Sequence, residues 1–340
     1  MKARALSTTF LFSLGLTLLP SLALADGPTA TAEAEPPAPL GGFGGTLIYE
    51  NSVGKGSFVG DGEFNDRPYW SMLLSIRPKF TISKAHKVSV GLRQDIDKVI
   101  IDNADSANTR NRQTTVYDTR LSVSWGEFAK IEPAFLKFST TAELFLPTSR
   151  NSQMATKYLG TRLYLTAGFE PLSWLSLSYQ FAGTKNFNRS NNYVLDPKDF
   201  SIAPISRAGG AEALSDGLVA TGVSPTEWSI YNRGILELKF LEKFTFTIDF
   251  VYTQAWGYQS FPIDELSSPN AKAGRSYSDL TDGTLELNYD VTDYLGVALG
   301  TVTEQLPKTS DNKEFRFPFW DTSNGAANRQ TFYLDVVGTF

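Results

Sequence analysis

Chemistry in this chain would have to start from one histidine and the charged side chains, because there is no cysteine. The lack of thiols removes thiolate nucleophiles, disulfide scaffolds and iron–sulfur ligation. A single imidazole, His86, excludes a His-rich metal cluster. It stands between Lys84 and Lys87, where a solvated turn residue is expected rather than a catalytic base. Asp264 with Glu265, and Asp102 with Asp105, offer paired hard oxygen donors. Two acids in a loop do not make a metal site, and none is assigned. Gly41-Gly42-Phe43-Gly44-Gly45 opens a strand and lacks the helix that a phosphate cradle needs. The expectation is no enzyme, with no catalytic residue, cofactor or metal. The net charge of −5 also argues against nucleic acid as a partner.

What the charged residues could do depends on the elements that carry them. Period-2 alternation recurs over segments of roughly ten residues. In Phe244 to Thr253, Phe244, Phe246, Ile248, Phe250 and Tyr252 share one face, and Thr245, Thr247, Asp249 and Thr253 share the other. Twelve such segments are expected, near 43–53, 69–81, 87–97, 114–127, 133–146, 156–169, 173–185, 227–240, 243–256, 279–290, 294–303 and 330–340. The connections between them alternate short and long. Short ones include Ser83 to His86, Glu170 to Leu172 and Val291 to Asp293, and long ones cover about 54–68, 98–113, 147–155, 186–226, 257–278 and 304–329. A soluble sandwich has no reason to sort its loops this way. The expected fold is all-β, a transmembrane antiparallel up-and-down barrel of about twelve strands with short periplasmic turns and long extracellular loops.

Bilayer physics supports that reading, since only helices or closed barrels satisfy every backbone group in lipid. Alternation also averages hydropathy away, which explains a mean hydropathy of −0.18 in a membrane protein. An aromatic girdle is expected from Trp125 and Trp174 on the turn side and Trp70, Trp228 and Trp256 on the loop side. Phe315, Phe317, Phe319 and Trp320, in the loop 304–329, are read as further anchors at the membrane edge. The loop 186–226 either folds into the mouth or projects outward, with one helical turn expected over 211–217.

Placing the more apolar face of each strand in lipid turns the other face inward. The expected pore-lining bases are Arg77, Lys79, Arg93, Arg120, Lys137, Arg162, Arg233 and Lys239. The expected pore-lining acids are Glu50, Asp118, Glu143, Asp249, Glu286 and Asp335, with Asp95, Asp97 and Glu237 on the same face. Strand one of a closed barrel neighbours strand twelve, so Glu50, Asp249, Glu286 and Asp335 should form one wall facing the arginines. So many inward charges require water or a dense ion-pair network.

Met1 to Arg4 gives a basic n-region, Ala5 to Ala23 an apolar stretch, and Ala23-Leu24-Ala25 a small-x-small cleavage site. The expected organisation is a cleaved signal peptide over 1–25, a flexible periplasmic leader over 26–42, and a barrel over 43–340. The final segment alternates Phe332, Leu334, Val336, Gly338 and the terminal Phe340 on one face. It resembles the C-terminal assembly signal of Gram-negative outer-membrane β-barrel proteins, and the strand count is similar to small porin-like channels. That resemblance implies the outer membrane as location. It also implies lipid and lipopolysaccharide as surroundings, and the barrel-assembly machinery as a partner through the C-terminal strand. Three functional readings follow. The first is a porin or channel for passive diffusion of small hydrophilic solutes, anions among them. The others are a structural or adhesive surface barrel with a filled lumen, and a barrel hydrolase.

Overall fold

The computed structural model describes residues 42–57, 69–84, 86–102, 114–195, 219–220, 223–260, 274–309, 312–319 and 328–340. The expected signal peptide and leader, the helical turn at 211–217 and Trp320 lie outside them. The strands are β1 (Phe43–Gly54), β2 (Tyr69–Ser83), β3 (Val88–Asp102), β4 (Thr114–Val116), β5 (Thr119–Ile131), β6 (Leu136–Leu146), β7 (Lys157–Leu172), β8 (Leu175–Asn188), β9 (Val194–Leu195), β10 (Val219–Ala220), β11 (Thr226–Phe240), β12 (Phe244–Ser260), β13 (Gly274–Thr292), β14 (Leu295–Gln305) and β15 (Asn328–Thr339). One short helix, α1 (Arg150–Met154), follows β6.

Twelve of these strands pair in one antiparallel ring, in the order β1, β2, β3, β5, β6, β7, β8, β11, β12, β13, β14, β15 and back to β1. β9 and β10 form a separate small hairpin, and β4 extends the ladder on β3 beyond the start of β5. The barrel is closed.

Its polarity is inverted relative to a soluble protein. Leu121, Val123, Leu163, Leu165 and Leu299 are exposed on the outside, while Ser75, Thr184, Thr247 and Asp249 are buried on the inside. Strand alternation produces this directly, because successive side chains point to opposite faces. The outward face satisfies hydrocarbon, and the ring leaves no open edge in it.

Several boundaries differ from the sequence expectation, and three of them have a clear local reason. The segment expected to begin at 133 instead starts β6 at Leu136. Pro133 lies in a 3₁₀ turn over Glu132–Ala134, and Phe135 closes it at φ 53°. A proline cannot donate to the ladder. The segment 114–127 is broken at Tyr117-Asp118, although the Tyr117 amide still donates to the Asp95 carbonyl at 3.0 Å. β13 begins at Gly274, five residues before the alternation becomes apolar. There the outward positions beyond the lipid zone are Arg275 and Tyr277, which give no clean hydrophobic period.

Two local features complete the wall. At the seam between β1 and β15, the Gly45 amide donates to the Phe340 carbonyl at 2.8 Å and the Phe340 amide donates back at 3.1 Å. A Cβ on Gly45 would collide with the Phe340 ring and the Arg77 carbonyl, so this close approach needs glycine. On the outer wall, residues 312–319 lie as a strap across β13 and β14. Gln305 Nε2 donates to the Phe317 carbonyl at 2.6 Å, and Thr303 Oγ1 donates to the Phe319 carbonyl at 3.2 Å. Gly283 leaves the room that Pro318 fills.

Candidate functional site: the barrel lumen

Ladder register fixes which side chains share the inner face. Glu50 on β1 stands opposite Asp335 on β15, and Thr247 on β12 stands opposite Glu286 on β13. Asp335 also stands opposite Ala298 on β14. Arg77 and Lys79 alternate inward on β2, Arg93 on β3, Arg120 on β5, Lys137 and Glu143 on β6, Arg162 on β7, and Arg233 and Lys239 on β11. Glu50, Asp249, Glu286 and Asp335 therefore occupy one sector, from β12 round to β1.

Several of these charges are already paired. Arg233 and Asp249 are nearly inaccessible and form a two-pronged pair, with Nη2 to Oδ2 at 2.7 Å and Nε to Oδ1 at 3.0 Å. Arg93 Nε donates to Asp95 Oδ2 at 2.7 Å, and Ser75 Oγ donates to Asp95 Oδ1 at 2.5 Å. Lys137 pairs with Glu170 at the short-turn end. Glu286 is held by neutral donors: Tyr333 Oη at 2.6 Å and Asn288 Nδ2 at 2.5 Å. Tyr333 can reach it because its ring occupies the space where a side chain on Gly300 would be.

Across the ring, cations gather around an aromatic. The Arg120 and Arg162 guanidiniums lie 5.2 and 4.9 Å from the Phe145 ring centroid, and Lys157 Nζ lies at 5.7 Å. Phe145 points inward and is buried. These are cation–π distances. In a ring of twelve, each strand faces the sixth along, so β5 faces β13 and β7 faces β15. The Arg120 and Arg162 side thus faces the Glu286 and Asp335 side, with Glu143 interrupting the cations on β6.

Between the two sectors, Tyr164, Ala182, Tyr231 and Val251 form a buried cluster on the inner faces of β7, β8, β11 and β12. The Tyr164 and Tyr231 rings meet edge to face, with centroids 6.4 Å apart. This knot lies on the lumen side of the wall.

Asp118 has a different place from the other expected acids. It sits in the break between β4 and β5, at the long-loop rim. Its carboxylate accepts from the Ser149 amide at 3.0 Å, Ser152 Oγ at 2.5 Å and Lys157 Nζ at 2.6 Å. Burial alone would raise its pKa, but the Lys157 charge and these hydrogen bonds outweigh that and hold it below the usual aspartate range. Ser149 caps α1 by accepting from the Ser152 amide at 3.1 Å. Asp118 is thus a fastener of the rim helix.

Residues the sequence reading left out join this site. Asp282 shares the inward parity of Glu286 on β13, so its signal was present in the spacing. Glu304 lies one residue past the expected end of its strand. Lys157 turns inward only through the register shift between Lys157 and Leu159, which no alternation pattern reveals. Among the girdle residues, Trp125, Trp174 and Trp228 are about half exposed. Trp70 Nε1 donates to Asn51 Oδ1 at 2.7 Å, and Trp256 packs on Tyr277 at 5.6 Å. Phe332, Leu334, Val336 and Gly338 line the outer face of β15, and the Phe340 ring lies 6.0 Å from that of Phe43. His86 lies in the turn between β2 and β3, with its amide donating to Ser83 Oγ.

No family model matches the chain, and no curated protein sequence matches it. Solved structures do. An outer-membrane channel from Pseudomonas putida F1 superposes with a TM-score of 0.53 at 11% identity, over 89% of this chain and 96% of that one. The KdgM porin gives 0.41 at 11% identity, over 87% of this chain and 99% of that one. Outer membrane phospholipase A from Escherichia coli gives 0.36 at 9% identity, over 87% and 92%. At these identities the likeness concerns the fold, and that fold is the closed antiparallel barrel of the outer-membrane proteins.

Proposed function

We propose that this protein is an outer-membrane channel through which small hydrophilic solutes diffuse passively. The observation that carries the reading is the inversion of the wall. A closed ring of strands turns leucine, valine and aromatic side chains outward, and turns serine, threonine and charged side chains inward. Burying such a set is costly unless it is solvated or paired, and a water-filled path supplies that solvation. An export signal over residues 1–25, passage to the assembly machinery through the C-terminal strand, and a surround of lipid and lipopolysaccharide belong to the same proposal. The proposed function is transport rather than catalysis, and His86 is read as a solvated residue of the turn between β2 and β3.

Reconstitution into planar bilayers tests this directly. The expected result is discrete conductance steps, with liposomes swelling in small sugars. A barrel that is folded by heat-modifiability yet shows no steps across a wide voltage range would overturn the reading. One observation favours a second reading. The knot of Tyr164, Ala182, Tyr231 and Val251 packs across part of the inner wall, as it would in a barrel sealed at that level.

A further inference from the structure

The acidic sector of the lumen is unbalanced in a way the rest of the wall is not. On β12, β13, β14, β15 and β1 the inner faces carry Asp249, Asp282, Glu286, Glu304, Asp335 and Glu50. Among the described side chains, those inner faces carry no lysine or arginine. Arg329 on β15 stands opposite Glu304 in the ladder, towards the long-loop end, and the cations nearest the other acids lie on the flanking strands. Arg233 is taken up by Asp249, and Arg77 on β2 lies near enough to act electrostatically on both Glu50 and Asp335. Glu286 has only the neutral donors Tyr333 and Asn288. Asp282 and Asp335 are 4% and 6% exposed, and each keeps its Oδ1 buried without a hydrogen bond. A buried carboxylate oxygen with no donor is unfavourable unless a positive group meets it.

We infer that this sector is a cation-binding subsite of the lumen, taking organic ammonium groups. The described acids do not gather three at a time at metal-holding spacing, so a compact metal cage is not what the geometry offers. An ammonium with three N–H donors can instead bridge carboxylates spread across neighbouring strands. Glu50 and Asp335 are the cross-strand pair that would meet it, since each faces the other in the ladder. Tyr333 is a positioning residue: packed over Gly300, it holds Glu286 toward the same space. The lumen then favours cations, against the anion option raised by its arginines.

The inference rests on the channel reading for transport but not for binding, so two measurements separate the two. The first is the reversal potential in a KCl gradient and the block of the current by putrescine. The second is calorimetric binding of putrescine to the detergent-solubilised barrel. Both compare wild type with the triple variant Glu50→Gln, Glu286→Gln, Asp335→Asn. We expect cation preference and putrescine block in wild type. In the variant, selectivity should approach parity and putrescine affinity should fall about tenfold or more, as for the loss of a charge-assisted contact. Should the triple variant not fold, Asp335→Asn alone carries the comparison. Anion preference in wild type, or block unchanged by the substitutions, overturns the subsite. If no conductance is seen, binding decides. Affinity lost in the variant upholds the subsite while the channel reading falls, and absence of binding overturns the subsite itself.

Discussion

Arg233 and Asp249 are 2% and 1% exposed and share three hydrogen bonds across β11 and β12. Removing one partner leaves the other charged, buried and alone. Arg233→Ala should therefore destabilise the barrel by about 3–5 kcal/mol, read as a lower midpoint for unfolding in urea with lipid present. Replacing both partners with apolar residues of similar volume should cost much less, and an equal loss would refute this account. Asp118 gives a pH-dependent case at the rim. Its folded pKa is depressed, so the stability it contributes is complete above its unfolded value of about 3.9 and is lost as pH falls through the folded value. Limited proteolysis near α1 should accelerate over that acid range in wild type. In Asp118→Asn it should be fast and level with pH. The two side chains differ in how readable they were. Asp249 follows from alternation alone, whereas the spacing assigns Asp118 to the pore lining because nothing in it marks the break that turns this residue to the helix.

At the level of elements, the strap is the clearest unit with a function of its own. Thr303 and Gln305 face outward on β14, where lipid would leave their polar atoms unsatisfied. The strap carbonyls of Phe317 and Phe319 meet those donors instead. Gln305→Ala combined with Thr303→Val should release residues 312–319. The measurement is the rate of cleavage within this segment in intact proteoliposomes, which should rise several-fold while the barrel remains heat-modifiable. An unchanged rate would show that Pro318 in the Gly283 recess suffices. Strand existence and turn length were legible here because both follow from bilayer thickness and backbone hydrogen bonding. The strap was not. The sequence marks its aromatics only as anchors at the membrane edge, since packing of a loop against the wall depends on a recess at one glycine and carries no periodic signal.

For the molecule as a whole, the question is how wide the path is. Tyr231 and Tyr164 project into the lumen from β11 and β7 and meet edge to face. Tyr231→Ala should enlarge the single-channel conductance by roughly half or more if this contact is the narrowest point, as expected where a pore is set by its lining side chains. An unchanged conductance would place the constriction elsewhere. The architecture could be read before the structure because twelve alternating segments and a two-length loop pattern admit few other folds. The lumen could be read only in outline. Parity gives the inward set, but pairings such as Arg93 with Asp95, and the gathering of Lys157 with Arg120 and Arg162 about Phe145, depend on register and bulges.

The strap also changes the outline of the protein as lipid meets it. It lies over Gly283 of β13 and over Thr303 and Gln305 of β14, and it turns Phe315 and Phe317 outward, 79% and 64% exposed. On that flank the wall carries a second layer, so whatever approaches it there meets aromatic loop instead of strand.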